Sequence, residues 1–173
     1  MHNEKWVDRV FFLQLEHLCK YAFLSIDIID QNIHSEDNTV IWLEIQNLLA
    51  SIANISKVLR PPNKMYVERG KRLRSKLDIN DDNCLINRDC RNYFEHFDEK
   101  IEEWATNSKN KNYVDNTITV NADGSFNEYG DCVFRVFAYD KWKISFGNQS
   151  YDMQPVIKEL KALYSKLIKL LNT

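Results

Sequence analysis

Six aliphatic residues, Ile41, Ile45, Leu48, Ile52, Ile55 and Leu59, recur at alternating steps of four and three, and Pro61-Pro62 follows at once. That spacing returns every side chain to one side of a 3.6-residue helix, so it demands a helix whose apolar stripe other helices must cover. The stripe also has a fixed end, because the residue before a proline avoids helical angles. A long partner lies upstream. Val7, Phe11, Leu15, Leu18, Ala22 and Ile29 share helical spacing, with Trp6, Val10 and Leu13 on an adjoining stripe. The pattern predicts a helix from about Lys5 to Gln31. Ser35-Glu36-Asp37-Asn38 reads as the connection and as a cap for the next helix.

Beyond the prolines, a basic loop and a short helix, about Val67 to Leu77, are expected. Asp81-Asp82-Asn83 supplies capping residues for a further helix, whose core stripe is Ile86, Cys90, Tyr93 with Phe94, Phe97, Ile101 and Trp104. The pattern changes after Asn107. Residues Ser108 to Asn112 form a polar break, and Ile118-Thr119-Val120 leads to the turn signal Asn121-Ala122-Asp123-Gly124. Cys132, Phe134, Val136 and Ala138 alternate with other residues, as do Trp142, Ile144 and Phe146, with Tyr139-Asp140-Lys141 between them. This predicts three antiparallel strands. Val156, Leu160, Leu163, Leu167 and Leu170 then mark a last helix from about Met153.

The expected fold class is mainly α: a bundle of four or five helices carrying a small antiparallel β-meander before the C-terminal helix. With 173 residues, 44% of them hydrophobic, one domain suffices. It spans 1–173, with a helical core at about 5–108 and 153–171 and the meander at about 114–147. Aromatics at 12% and a net charge of −2 exclude disorder as the main description. No apolar run approaches the roughly 20 residues needed to cross a bilayer, and no signal-peptide pattern opens the chain, so a soluble cytoplasmic protein without a membrane association is expected. Cys19, Cys84, Cys90 and Cys132 form no C-x-x-C pair and have no His at ligand spacing. They read as small hydrophobes in a reducing compartment, with no metal.

Charge is unevenly placed. Between Lys57 and Lys76 stand Lys57, Arg60, Lys64, Arg69, Lys71, Arg72, Arg74 and Lys76 against Glu68 alone. Such a segment suits nucleic-acid phosphates, with Arg69, Lys71, Arg72 and Arg74 at its centre; a solvated surface, or a patch answering the acidic remainder, suits it equally. Further on, stepping around the helix that should contain Arg88 to Trp104, with its core direction at Phe97, puts Arg91 and His96 on opposite edges of a polar face. Arg88, Asn92, Glu95 and Glu99 lie between them. A merely solvated face is the plain alternative.

Arg91-Asn92-Tyr93-Phe94-Glu95-His96 resembles the R-x4-H motif of the HEPN superfamily, including the polar residue after Arg. Ala53-Asn54-Ile55-Ser56-Lys57 and the stretch from Arg91 to Glu99 resemble uncharacterised bacterial HEPN-like proteins. The resemblance covers about residues 5–108 and the last helix. It implies a metal-independent endoribonuclease without a cofactor, whose motif helices pair about a two-fold axis in a homodimer. Two Arg91 and two His96 would then share one cleft. His96 would move a proton to or from the ribose 2′-hydroxyl or the leaving oxygen, and Arg91 would hold the scissile phosphate. Asn92 would orient the phosphate or His96. Glu95 would fix the imidazole or pair with Arg88 or Arg91. Asn54 and Lys57 would support the cleft from the neighbouring helix. The resemblance also implies a setting in prokaryotic defence or a toxin–antitoxin pair, with an antitoxin protein as a possible partner. Some HEPN toxins carry R-x4-H-x-Y; here Asp98 stands in place of that Tyr, so inhibition by tyrosine modification is not expected. Two rivals remain: a non-catalytic dimeric HEPN-like binding or adaptor module, and a monomeric helical scaffold whose R-x4-H is coincidence.

Overall fold

The computed structural model describes residues 2–87, 96–109, 112–119, 132–146 and 149–172. Among them are five α-helices: α1 (His2–Asn32), α2 (Thr39–Leu59), α3 (Val67–Lys76), α4 (Phe97–Asn107) and α5 (Gln154–Leu171). A four-stranded sheet precedes α5: β1 (Thr117–Thr119), β2 (Arg135–Ala138), β3 (Lys143–Phe146) and β4 (Gln149–Asp152). The chain is thus mainly helical, with a small sheet before its last helix. None of the described helices is long and apolar enough to cross a membrane.

The central stripe is covered as its spacing requires. Ile41, Leu48, Ile55 and Leu59 are fully buried and Ile45 nearly so. α1 packs along α2 and against α5, bringing Leu15, Cys19, Ala22 and Ile29 into the same core as Leu160, Leu163 and Leu167. Asp37 holds the start of α2, its Oδ1 accepting the Thr39 N–H at 2.8 Å. At the other end Arg60 leaves helical angles (φ −133, ψ 77) before Pro61.

α3 docks on that end of α2 through two residues one turn apart, Gly70 and Arg74. A Cβ on Gly70 would lie 2.5 Å from Pro61 Cδ and 2.8 Å from the Leu59 carbonyl oxygen, so only glycine permits this approach. Arg74 Nη1 donates to the same Leu59 oxygen at 2.6 Å, satisfying a carbonyl that the helix end leaves open.

Three expectations need correction. The helix that Asp81-Asp82-Asn83 was to cap is a single 3-10 turn, Cys84–Ile86. Asn83 Oδ1 accepts the Leu85 N–H at 2.9 Å, but Asn87 is already extended (φ −67, ψ 140). Residues 88–95, with Cys90, Tyr93 and Phe94, lie outside the described residues. α4 begins only after His96 (φ −113, ψ 34), so no regular helix runs through His96. Phe97, placed at the centre of the core stripe, is 49% exposed, and α4 buries no residue fully. Among the described residues, the Trp104 ring lies 5.4 Å from Tyr113 and 5.7 Å from Phe134.

The sheet also differs. β1, expected as an antiparallel strand of the meander, pairs with β2 in parallel, in register from Thr117 opposite Val136 to Thr119 opposite Ala138; the antiparallel meander is β2–β3–β4. Parallel neighbours need a long crossover, and residues 120–134 stand between these strands. β4 lacks apolar alternation and escaped the sequence pattern. Strict alternation fails in β2 as well. Phe137, out of phase with Phe134 and Val136, is fully buried and joins the helical core beside Ile144, while Phe134 and Val136 are buried too. Both faces of this strand are covered. Arg135 ties the sheet to the bundle, its Nε donating to Asp115 Oδ1 at 2.7 Å and its guanidinium lying 5.4 Å from the Trp42 ring centre.

Candidate functional site

His96 occupies the residue before the first turn of α4, where its own carbonyl accepts the Lys100 N–H at 3.1 Å. Its side chain is 58% exposed. Nδ1 stands 3.3 Å from Glu99 Oε1, three residues on. Glu99 and Asp98 both fall in the first turn, where carboxylates suit the helix dipole. The carboxylate of Glu99 can hold the tautomer with hydrogen on Nδ1, which leaves Nε2 as the nitrogen for proton exchange with a ligand. Glu99, expected only as a member of the polar face, is the observed partner; the three-residue spacing was the available signal. Arg91, Asn92 and Glu95 lie outside the described residues.

Asn54 is exposed near the end of α2, and Lys57 is half-exposed one turn further. Ala53, next to Asn54, and Asn87, at the end of the segment leading to the motif, line one cavity of about 330 Å3. Leu49, Ile52, Met153 and Val156 give it an apolar wall, and Cys84 and Asp152 add polar edges. α2 and the approach to the motif are therefore neighbours. Burial, with Glu159 nearby, pushes the Cys84 thiol above its ordinary pKa. Cys19 is pushed up to about 12, by burial and then Glu16. Neither is a thiolate at neutral pH, which suits their reading as small hydrophobes.

The basic segment is tied into the fold. Arg72 donates from Nε at 3.1 Å and from Nη2 at 2.9 Å to Asp8, and Lys76 Nζ reaches the same carboxylate at 2.6 Å. Asp8 is 1% exposed. Burial alone would raise its pKa; the two cations and their hydrogen bonds outweigh that and hold it below the usual carboxylate range. Lys71 pairs with Glu68 at 2.9 Å, and Arg74 Nη2 with Asp81 at 2.9 Å. The Arg69 guanidinium lies over Phe11, 4.4 Å from its centre, and 5.1 Å from that of Tyr66. Each of the four cations expected to meet phosphate thus has an intramolecular partner. Asp8 carried no expectation, yet it organises this surface. Its signal is legible: it stands seven residues before Leu15, so a carboxylate projects from the core side of α1.

Among the described residues, no group of three or more His, Cys, Asp or Glu could hold a metal ion. No family model, no curated protein and no solved structure matches the chain.

Proposed function

We propose that the chain is a metal-independent endoribonuclease of HEPN type, acting as a homodimer in which Arg91 and His96 of two copies share one cleft. The observation that carries this reading is the exposed imidazole of His96, five residues after Arg91 and oriented by Glu99. An accessible imidazole with one nitrogen held is suited to take the 2′-hydroxyl proton or to protonate the leaving oxygen. Arg91 supplies the guanidinium that the charge growing on the phosphate requires. Ribose is needed because its 2′-hydroxyl is the nucleophile, so DNA is not a substrate. Asn92 and Glu95 orient the pair, and Asn54 and Lys57 stand on the neighbouring helix. Arg72 and Lys71 keep an open edge to solvent despite their partners, which lets a phosphate backbone share them. A cytoplasmic role in defence, or as a toxin held by an antitoxin protein, is part of this reading.

A second reading is favoured by the same segment. Cations already bound to Asp8, Glu68 and Asp81 suit a non-catalytic dimeric HEPN-like binding or adaptor module. The experiment is cleavage of a mixed RNA pool in excess EDTA by wild type, Arg91→Ala and His96→Ala. Cleavage by wild type alone, leaving 2′,3′-cyclic phosphate ends, supports the nuclease. Failure of dimeric wild type to cut any RNA in the pool overturns it in favour of the binding module. Cleavage retained by both variants refutes the assignment of the site.

A further inference from the structure

α1 carries a second apolar stripe, on the side away from the core. Taking Leu15 as the core direction and stepping about 100° per residue, Trp6, Leu13, His17 and Leu24 all fall within about 20° of the opposite direction. Val10, Tyr21 and Ile28 flank them within about 60°. Trp6, Tyr21 and Leu24 are 63%, 57% and 58% exposed, and the rings of His17 and Tyr21 stack. From Val10 to Ile28 the stripe is about 27 Å long at the helical rise. A solvated helix of a monomer places polar residues there, and a continuous apolar patch marks a contact surface.

The charges beside the stripe say what covers it. Arg9, Glu16, Lys20 and Asp27 lie along one flank, about 40° to 80° from the line through Leu24. Their signs alternate along the helix. Arg9 and Asp27 are equidistant from position 18, as are Glu16 and Lys20. Reversing the helix about that point places every charge opposite one of the other sign. The stripe has nearly the same centre: Leu13 and Leu24, Val10 and Ile28, and His17 and Tyr21 are paired about positions 18 to 19. In an antiparallel pair of helices, a flank faces the same flank of its partner in reverse order. One operation therefore matches both the apolar residues and the charges, as an isologous contact requires. Glu16 and Lys20 already hold each other at 2.6 Å within one helix, so two such pairs would meet as a closed ring of four charges. Trp6 would then reach the level at which the partner's α2 begins, where Val40 and Leu43 are also exposed.

We propose that α1 packs antiparallel against α1 of a second copy, across a two-fold axis passing near positions 18 and 19. α1 carries neither Arg91 nor His96, so this pairing is a different one from that proposed for the catalytic face. If both faces engage, the assembly is larger than a dimer, and it closes as a tetramer when the two axes meet at right angles.

Light scattering on wild type, on Tyr21→Glu with Leu24→Glu, on Asp27→Arg, and on Asp27→Arg with Arg9→Asp tests this. The first variant should halve the wild-type mass while its melting temperature extrapolated to the dissociated state is unchanged. Asp27→Arg should raise the dissociation constant at least tenfold, and adding Arg9→Asp should restore most of it. Disulfide cross-linking of Leu13→Cys with Leu24→Cys gives an independent reading, expected as a covalent dimer above the wild-type background. A monomeric wild type overturns the proposal and leaves the stripe to another protein. So does a wild-type mass that the glutamate variant does not change. RNA cleavage by that variant reads the nuclease separately.

Discussion

α2 and α4 show the same kind of apolar repeat, and they end in opposite situations. In α2 the stripe from Ile41 to Leu59 packs against α1, α3 and the 3-10 turn Cys84–Ile86. In α4 no residue is fully buried, and Phe97 is half in solvent. The charges divide the same way. Around α1 and α3 they bridge distant parts of the chain, with Arg72 and Lys76 on Asp8. The described ion pairs of α4 span one turn, His96 to Glu99 and Lys100 to Glu103. Pairs of the second kind contribute a few tenths of a kcal/mol, whereas a buried charge stripped of its partner costs several. Periodicity reports that a helix has an apolar side; how much chain is available to cover that side decides whether it becomes core. Among the described residues, the α1–α3 end is tied together by long-range pairs, and the start of α4 is not.

The sharpest way to break this contrast is at Asp8. Asp8→Ala would leave Arg72 and Lys76 facing each other without their anion, and the expected loss is about 3 kcal/mol, since both partners are partly exposed. Urea unfolding at neutral pH measures it; a loss under about 1 kcal/mol would show that the pair is dispensable. The same carboxylate sets an acid limit. Asp115 joins it: burial would raise its pKa, but the hydrogen bonds from Arg135 and Tyr113 hold it below the usual range. A depressed folded pKa means stability that is complete at neutral pH. That stability starts to fall as pH nears the unfolded value of about 3.9 and is lost as pH drops through the folded one. Asp8→Asn should flatten that acid limb, and an unchanged midpoint-versus-pH curve would refute the coupling.

Gly70→Ala is the next largest. The added methyl meets Pro61 and the backbone oxygen of Leu59, and backbone cannot step aside without moving the α2–α3 junction. Overpacking of this kind costs about 1–3 kcal/mol, outweighing the gain in helix propensity of roughly 1 kcal/mol. A variant more stable than wild type would mean that the junction yields. Trp104→Ala comes third, at about 1–2 kcal/mol. The ring is only partly buried, and its partners are Tyr113 and Phe134 rather than the helical core. A cost matching that of Ile45→Ala would make α4 a core helix after all and erase the contrast with α2.

Much of this division was legible in the residues. The spacing from Ile41 to Leu59, the Pro61-Pro62 stop and the Leu160–Leu167 repeat specify their helices locally, and the structure follows them closely. The failures share one cause. Whether Phe97 is covered, whether β1 runs parallel to β2, and whether Arg72 meets phosphate or Asp8 all depend on which distant segment arrives alongside. The Asp8–Arg72 contact spans 64 positions, and no local pattern encodes it. At the candidate site the sequence offered His96 with its helix-edge placement; the structure keeps it accessible but puts it at the start of α4 instead of inside a continuous helix.

His96→Ala should therefore have the smallest effect on stability of the four. The ring is mostly in solvent, its pairing with Glu99 is exposed and three residues away, and no buried group among the described residues is paired with it. Removing such a side chain changes stability by about 0.5 kcal/mol or less. In a chain of this size that is a shift in melting temperature of about 2 °C. A loss above about 1 kcal/mol would mean that His96 holds the start of α4 in place, and its exposure would then have a structural cause. A silent substitution has the opposite meaning. If His96→Ala melts with wild type but loses RNA cleavage, the residue is free of structural duty and its chemistry is separable from the fold. Glu99→Gln sharpens the point: it keeps an oxygen beside Nδ1 but removes the charge. Cleavage should fall, though less than in His96→Ala, because a neutral amide oxygen holds the Nδ1–H tautomer more weakly than a carboxylate does. An unchanged cleavage rate would detach Glu99 from the chemistry and leave it as an ordinary carboxylate in the first turn of α4.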